Sequence, residues 1–440
     1  MSADPSAHEL NDRPASGWRA TFVSLSVPEY ALYFWGMLAF FSGMNMMIVL
    51  RGYLVYDLTG SSNALAAVML SVSLPMLVVA PIGGVITDRV DRRSLMLAAQ
   101  LAVALVNLVN TILILTGAVA LWNLLIMSAL SGVAFSFNMP ARQAAMPNLV
   151  PRHMLMNAIS LGSSAMNGTR IIAPAVGGLL IAPIGIGGGF AVLTGLYVLS
   201  AVLTLGLPKM PPKDRDATVT FFSDFKGGFS FIRSDRLVFG LLLLGTIPLI
   251  FAMPYQTMLP VFAKDVWHVG PTGLGTLQAM AGVGGLIGTL ITANMDSSPR
   301  KGWIMLAAAC MTGVFLVAFS FSIFGIALVM IACVGLSSMV FMTVNNTMIT
   351  TLIPDSVRGR VSSVLMMTFG LMPLGVVPAG ILAEIIGVEA VTAIGAGLLI
   401  LTVLVTYAAF PQFRTLDAAV RKQRAVREAA WDAEAAVAGG

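Results

Sequence analysis

Twelve apolar runs of bilayer-spanning length dominate this 440-residue chain and limit what it can fold into. A spanning helix needs ~20 mostly apolar residues. Lipid offers no partner to a free N–H or C=O, so each run must satisfy its own backbone as a helix. The first six runs fall at 30–55, 64–87, 94–115, 121–140, 157–181 and 189–207. The second six fall at 237–261, 272–293, 302–321, 323–345, 361–385 and 390–410, with the slightest division at 320–325. Hydrophobic residues make up 57% of the chain and charged residues 10%, where a soluble chain carries roughly 25% charge. The expected fold class is an all-α polytopic membrane protein. A disordered protein, a nucleic-acid module and an ordinary soluble enzyme are excluded on the same ground.

The charge of +5 and pI near 9.4 come from loop residues rather than from a surface for nucleic acid. On these spans, 22 of the 25 lysines and arginines lie on one side, in the two tails and the loops after the even-numbered spans. Basic short loops stay cytoplasmic, so both tails are expected there and the number of spans must be even. Only Lys264 lies on the other side, while Arg51 and Arg170 fall within spans. Residues 1–29 lack the short apolar core and cleavage site of a signal peptide. Residues 208–236 open with Pro208, Pro211 and Pro212 and read as a cytoplasmic linker. Within it, 221–232 has the aromatic content of a short helix lying on the membrane. The expected organisation is therefore a tail (1–29), a six-helix bundle (30–207), the linker, a second bundle (237–410) and a tail (411–440). In that last tail, 412–434 reads as a short cytosolic helix, either touching the membrane or solvated.

The halves echo each other. Leu149-Val150-Pro151-Arg152 and Leu352-Ile353-Pro354-Asp355 stand in equivalent places, as do Asp88 with Arg92-Arg93 and Asp296 with Arg300-Lys301, at offsets of 203 and 208 residues. Two parallel six-helix repeats suit a carrier that rocks two bundles about a midplane site.

The most specific segment runs from Gly84 through Asp88 and Arg89 to Asp91, Arg92 and Arg93, between the second and third spans. Gly84 permits close helix approach, and Asp88 at the membrane edge suits the positive end of a neighbouring helix. Arg89, Arg92 and Arg93 anchor the loop at the anionic leaflet and can pair with Asp88 or Asp91. With these spacings the segment resembles the second-to-third-loop signature of the major facilitator superfamily, G-x-x-x-D-R-x-G-R-R/K. Asp91 stands where that signature has its second glycine. The resemblance implies twelve transmembrane helices in two six-helix bundles. It also implies a gating role for this loop, with Asp88 facing the start of the eleventh helix near Arg360 and Ser363 and holding the outward-facing state.

The fifth span carries Arg170, Pro174, Gly177 and Gly178. It resembles the G-P-x-x-G-G antiporter motif of drug-exporting members, with Ala173 in place of the first glycine. Tyr56–Ser61, 138–143, 150–152 and 358–362 look like the macrolide-efflux and enterobactin-exporter branch. A charge within a span is a functional candidate because burying it costs at least ~2.5 kcal/mol. Arg170 either binds an anionic part of a substrate or sets an electrostatic barrier, or it serves structurally through helix carbonyls or Asn167. Arg51 snorkels or pairs with Asp57.

All 20 acidic residues fall at span ends, loops or tails. Proton coupling therefore rests on the resemblance, with Asp57 and Glu384 as candidate carriers beside the plainer reading of solvated edge charges. Cavity candidates are Trp35, Asn45, Phe135, Asn138, Arg170, Tyr255, Gln256, Gln278, Asn345 and Met366, each weighed against a packing role; the 28 methionines offer an adaptable lining. Cys310 and Cys333 lie in apolar runs and His8, His153 and His268 are scattered, so neither a metal site nor a cofactor is expected. No nucleotide-binding G-x-x-x-x-G-K-[ST] motif is present. The expected function is a secondary active transporter of the bacterial inner membrane, monomeric, exporting small amphipathic molecules such as drugs or siderophore-like metabolites against protons. An uptake carrier for nutrients or organic anions is the alternative. A membrane-embedded enzyme or receptor is less supported, since no clustered nucleophile or ligand-binding domain is visible.

Overall fold

The computed structural model describes residues 22–211, 232–233, 235–293, 295, 300–353 and 368–418, and only the backbone of Pro81, Gly84, Val85, Asp88, Arg152, Phe369, Arg414 and Thr415. Every regular element among the described residues is a helix. The first half contains α1 (Pro28–Thr59), α2 (Ser62–Arg89), α3 (Arg92–Leu115), α4 (Leu121–Ala145) and α5 (Leu155–Leu205). The second half contains α6 (Arg236–Phe251), α7 (Pro254–Val261), α8 (Gly270–Ala293), α9 (Lys301–Ser320), α10 (Phe324–Leu352), α11 (Pro373–Ile386) and α12 (Val388–Ala409). Ten stretches are long and apolar enough to cross a membrane, and α11 is a shorter apolar helix.

Local chemistry sets the breaks. The 51-residue α5 is interrupted at Gly185, whose φ of 69° and ψ of 174° lie where glycine alone is comfortable. The fifth and sixth expected spans are its two arms. Helix α1 ends at Gly60 in a left-handed turn, and Ser61 caps α2 through its hydroxyl on the Ala64 amide (3.2 Å). One turn thus joins the two helices. The stretch expected as a single span at 237–261 is α6 and α7, separated at Ala252–Met253 just after Pro248 and prolonged by a π-helical turn, Phe262–Val266. Proline removes a ladder hydrogen bond, which accounts for the offset. Residues 321–323 do separate α9 from α10.

One assignment changes. Pro140 was expected to end the fourth span and leave Arg142 in a loop, yet α4 continues to Ala145 and buries Arg142. Neighbouring helices re-satisfy a proline-broken ladder inside a bundle.

Packing rests on glycine seams. A Cβ added at Gly83 or Gly132 would strike the Ser136 and Val72 carbonyls between α2 and α4. At Gly284 and Gly335 it would strike the Ala332 and Ala281 carbonyls between α8 and α10. The same device recurs in both halves of the chain. Gly83 makes a close approach on α2. Beyond these seams, α1 packs along α5, α9 on α10 and α12, α5 on α8, and α2 on α11. The start of the last tail docks as well: Phe413 lies against Gly240 on α6, and Asp417 accepts from the Gly302 amide at the head of α9 (2.9 Å).

The linker segment 212–231, the start of the expected eleventh span with Arg360, Ser363 and Met366, and residues 419–440 lie outside the described residues, as do both expected surface helices for most of their length.

Candidate substrate cleft and its closed end

Helix α5 reaches two neighbours with two faces. Gly162, Thr169 and Gly177 meet α1: Thr169 Oγ1 accepts from Asn45 Nδ2 (3.3 Å), and a Cβ at Gly177 would lie 2.8 Å from Met46 Cγ. Gly178 meets α8, where a Cβ would lie 2.7 Å from the Gly275 nitrogen and 2.8 Å from the Pro271 carbonyl oxygen. Gly282 of α8 in turn meets Ile171 at 2.8 Å. These pairings make α5 and α8 antiparallel and give the motif residues Gly177 and Gly178 their work: small side chains let helices approach where lipid supplies no hydrophobic drive.

Two strips of α5 remain exposed. Ile172, Val176 and Leu179 form an apolar one, suited to lipid. Ser163 and Arg170, with the half-buried Asn167, form a polar one on the opposite side, as helical geometry places residues spaced by three, four and seven. A guanidinium facing hydrocarbon is costly, and this strip lies away from the apolar one. Arg170 is 15 residues from the start of α5 and 15 from the Gly185 break, about 22 Å from either end at 1.5 Å per residue. It makes no hydrogen bond or ion pair among the described residues, its neighbour Asn167 included. On α8, Val283, Ile287 and Leu290 are the exposed apolar strip, while the half-buried Gln278 and Thr289 lie on the other side of the α5 seam. On the register set by Gly178 with Gly275 and Ile171 with Gly282, Gln278 lies about 7 Å from Arg170 along the axis.

Other expected cavity residues are placed elsewhere. Asn45, Phe135, Asn138 and Asn345 are buried between helices. Asn45 also donates to the Phe41 carbonyl (2.8 Å), whereas Asn345 packs on Gly245 and its oxygen has no partner. Tyr255 is buried beside an apolar cavity of about 130 Å³ between α7, α11 and α12, and Gln256 Nε2 lies 3.5 Å from its hydroxyl. Trp35 is exposed near the start of α1. Arg51 does not pair with Asp57; its Nη1 lies 3.4 Å from Ser128 Oγ on α4.

The end of the molecule at the α1–α2 turn is closed by polar links between the halves. Lys264 Nζ is 2.7 Å from Asp57 Oδ1, and the Tyr56 hydroxyl donates to Asp265. Glu384 of α11 accepts from the Ser61 hydroxyl, from the Asn63 side chain and from the Asn63 amide (3.0 Å). Beneath them, Gly380 packs against Ala66 and the Ser62 carbonyl, and Gly52 against Pro260. Among the described residues, every hydrogen bond or ion pair joining 22–211 to 232–418 lies at this end. Asp57 and Glu384 were legible only as isolated edge charges, because their partners come from more than 200 residues away.

Sequence reasoning missed a buried cluster as well. Arg142 lies over the rings of Tyr33 (5.4 Å) and Phe40 (5.3 Å), with Nε 3.4 Å from Asn138 Oδ1. With the Gln100 amide oxygen turned toward it, Arg142 donates at 2.9 Å while the amide nitrogen donates to Thr204 Oγ1 at 3.0 Å. The signal was present: Arg142 continues a helical register through Pro140.

In the second-to-third loop, Asp91 caps α3 by accepting from the Ser94 amide (2.9 Å) and hydroxyl (2.7 Å), and it also accepts from the Met210 amide. Burial pushes its carboxyl upward, but the Ser94 and Met210 donors, with Arg93 nearby, hold it below the usual carboxylate range. Arg93 donates to the Leu205 carbonyl. Arg92 is buried, its backbone amide on the Met210 carbonyl (3.1 Å), and Arg89 is exposed. The side chain of Asp88 and its expected partner segment lie outside the described residues. Among those residues, no group of three or more His, Cys, Asp or Glu converges on a metal position.

A helical membrane protein whose halves are joined by polar links at one end, with an arginine exposed midway along a spanning helix, is the class these features define. The chain belongs to the transmembrane secretion effector family of the major facilitator superfamily, whose profile matches residues 20–435. It is a multi-pass membrane transporter of an efflux family, not an enzyme. Among its relatives, macrolide efflux protein A of Streptococcus pyogenes is 27% identical over 75% of this chain and 83% of its own length. The multidrug efflux pump Tap of Mycolicibacterium fortuitum is 28% identical over 86% and 94%. The enterobactin exporter EntS of Escherichia coli O1:K1 / APEC is 29% identical over 64% and 67%. The fold is shared with the nucleoside transporter NupG (TM-score 0.69, 14% identity, covering 86% of this chain and 98% of that one). It is shared too with a bacterial homologue of the lysosomal transporter Spinster in an inward-facing conformation (TM-score 0.66, 14% identity, 93% and 99%).

Proposed function

We propose that the chain exports small amphipathic molecules, drugs or siderophore-like metabolites, by alternating access driven by the proton gradient. Twelve spans form two six-helix bundles, 30–207 and 237–410, in a bacterial inner membrane, with the linker 208–236 and both tails cytoplasmic; the monomer is the working unit. The observation that carries this reading is the set of polar links between the halves at the α1–α2 end; Arg170 and Gln278 are the proposed polar wall of a substrate cleft behind it. On the basic-loop orientation that end is extracytoplasmic, so the described state is inward-facing.

Asp57 and Glu384 are the proposed proton sites. Each holds the seal as a carboxylate, so protonation weakens the closed end and couples proton entry to opening. Asp88, with Arg89, Arg92 and Arg93, forms the opposing latch on the cytoplasmic side. The test is efflux from cells or uptake into everted vesicles, with and without an uncoupler. Transport against a gradient that collapses on uncoupling is the expected result; accumulation indifferent to the uncoupler overturns the coupling, and flux only into right-side-out vesicles overturns export.

A further inference from the structure

Among the described residues, the membrane interior carries positive charge and no negative charge. Every acidic residue among the described ones lies within two residues of a helix end or between helices: Glu29, Asp57, Asp88, Asp91, Asp235, Asp265, Glu384, Glu389 and Asp417. The expected eleventh span, whose first residues lie outside the described ones, has Glu384 as its single acidic residue. Arginine, by contrast, enters three times. Arg142 is sealed by Tyr33 and Phe40, and Arg51 is half-buried against Ser128. Arg170 is exposed, halfway along its arm of α5, without a hydrogen bond or ion pair among the described residues.

An unpaired guanidinium on a cleft wall is the reverse of what a cationic cargo needs. A cation gains by ion pairing with a carboxylate, and the described cleft has none to offer; it meets repulsion in a low-dielectric space where charge interactions reach far. An anion meets a planar fork of donors suited to carboxylate and phenolate oxygens. Gln278, on the facing helix about 7 Å further along the axis, supplies a neutral amide to the rest of the molecule.

We infer that the cleft selects amphipathic organic anions, with Arg170 as the direct anion contact and Gln278 as a second polar contact. The inference rests on the transporter reading, but it concerns binding and not direction. A binding measurement therefore separates its failure from a failure of the export proposal.

The experiment is ligand-induced thermal stabilisation of the purified full chain in nanodiscs. The probes are carboxyfluorescein and deoxycholate as anions, and ethidium and tetraphenylphosphonium as cations. The anions are expected to stabilise saturably, with apparent affinities at least tenfold better than those of the cations. Arg170→Gln should lose at least tenfold in anion affinity with its unliganded melting unchanged, since Arg170 has no described partner to release. Arg170→Lys should recover part of the loss, because it restores the charge without the planar fork. Equal or tighter cation binding, unaltered anion binding in Arg170→Gln, or no response to either anion overturns the inference. Export is judged separately, by the uncoupler-sensitive flux assay, whichever of these results is obtained.

Discussion

Lys264 Nζ lies 2.7 Å from Asp57 Oδ1, joining the π-helical turn after α7 to the last turn of α1 across the seam between the halves. Both side chains are over a third exposed, and an exposed pair contributes only about 0–1 kcal/mol. Asp57→Asn alone should therefore shift the closed-to-open ratio of this end by no more than about fivefold. Combining it with Glu384→Gln, which takes charge from the second set of links, should open the end further. The readout is labelling of Gln278→Cys, in a background lacking Cys310 and Cys333, by an impermeant maleimide applied outside. Equal labelling in the double variant and the parent would refute the seal.

Gly178 is the tightest point of the α5–α8 seam, where a new Cβ would meet the Gly275 backbone and the Pro271 carbonyl oxygen at 2.7–2.8 Å. Backbone cannot yield as a flexible side chain does, so Gly178→Val should splay the helices. Transport should fall more than tenfold while membrane abundance stays near that of the parent. Gly168, with open space around it, provides the control: Gly168→Ala should retain flux.

Arg142 is held by two aromatic faces and two side-chain amides inside the first half. Arg142→Ala leaves a cavity and unpaired amide groups, a loss of about 2–4 kcal/mol. Thermal melting in detergent measures it. Arg142→Lys should fall between the two, since an ammonium cannot stack as the guanidinium does.

Asp91→Gly restores the glycine of the superfamily signature but removes the cap on α3 and the tie to Met210. The lost cap alone should cost about 1 kcal/mol. Because the folded carboxyl titrates below its ordinary value, its contribution is complete above a pH of about 4. It fades as pH falls through the lowered value. Melting curves of parent and Asp91→Gly should accordingly diverge at neutral pH and converge in acid; a constant gap would show that the carboxylate is not what holds the loop.

The membrane fold was legible because lipid imposes a one-dimensional rule. A run of ~20 apolar residues must be a helix wherever it ends up, so ten of the expected spans are single helices or arms of one helix and the seventh is two. The loop motif was equally legible, since its charges are local. Partnership was not. Asn45, Asn138 and Asn345 looked like cleft residues because a polar side chain in a span has two destinations, a water-filled cavity or a neighbouring helix, and composition does not distinguish them. Arg142 was misplaced because proline ends most soluble helices, while a packed bundle carries the chain through Pro140. By itself the sequence determined that this chain crosses the bilayer repeatedly and belongs with carriers. Only the tertiary structure decided which charges meet: Asp57 with Lys264, Glu384 with Ser61 and Asn63, and Arg170 with no described partner. The reason is physical. Spans are fixed by transfer into lipid, residue by residue, whereas a gate is fixed by pairing between side chains hundreds of residues apart.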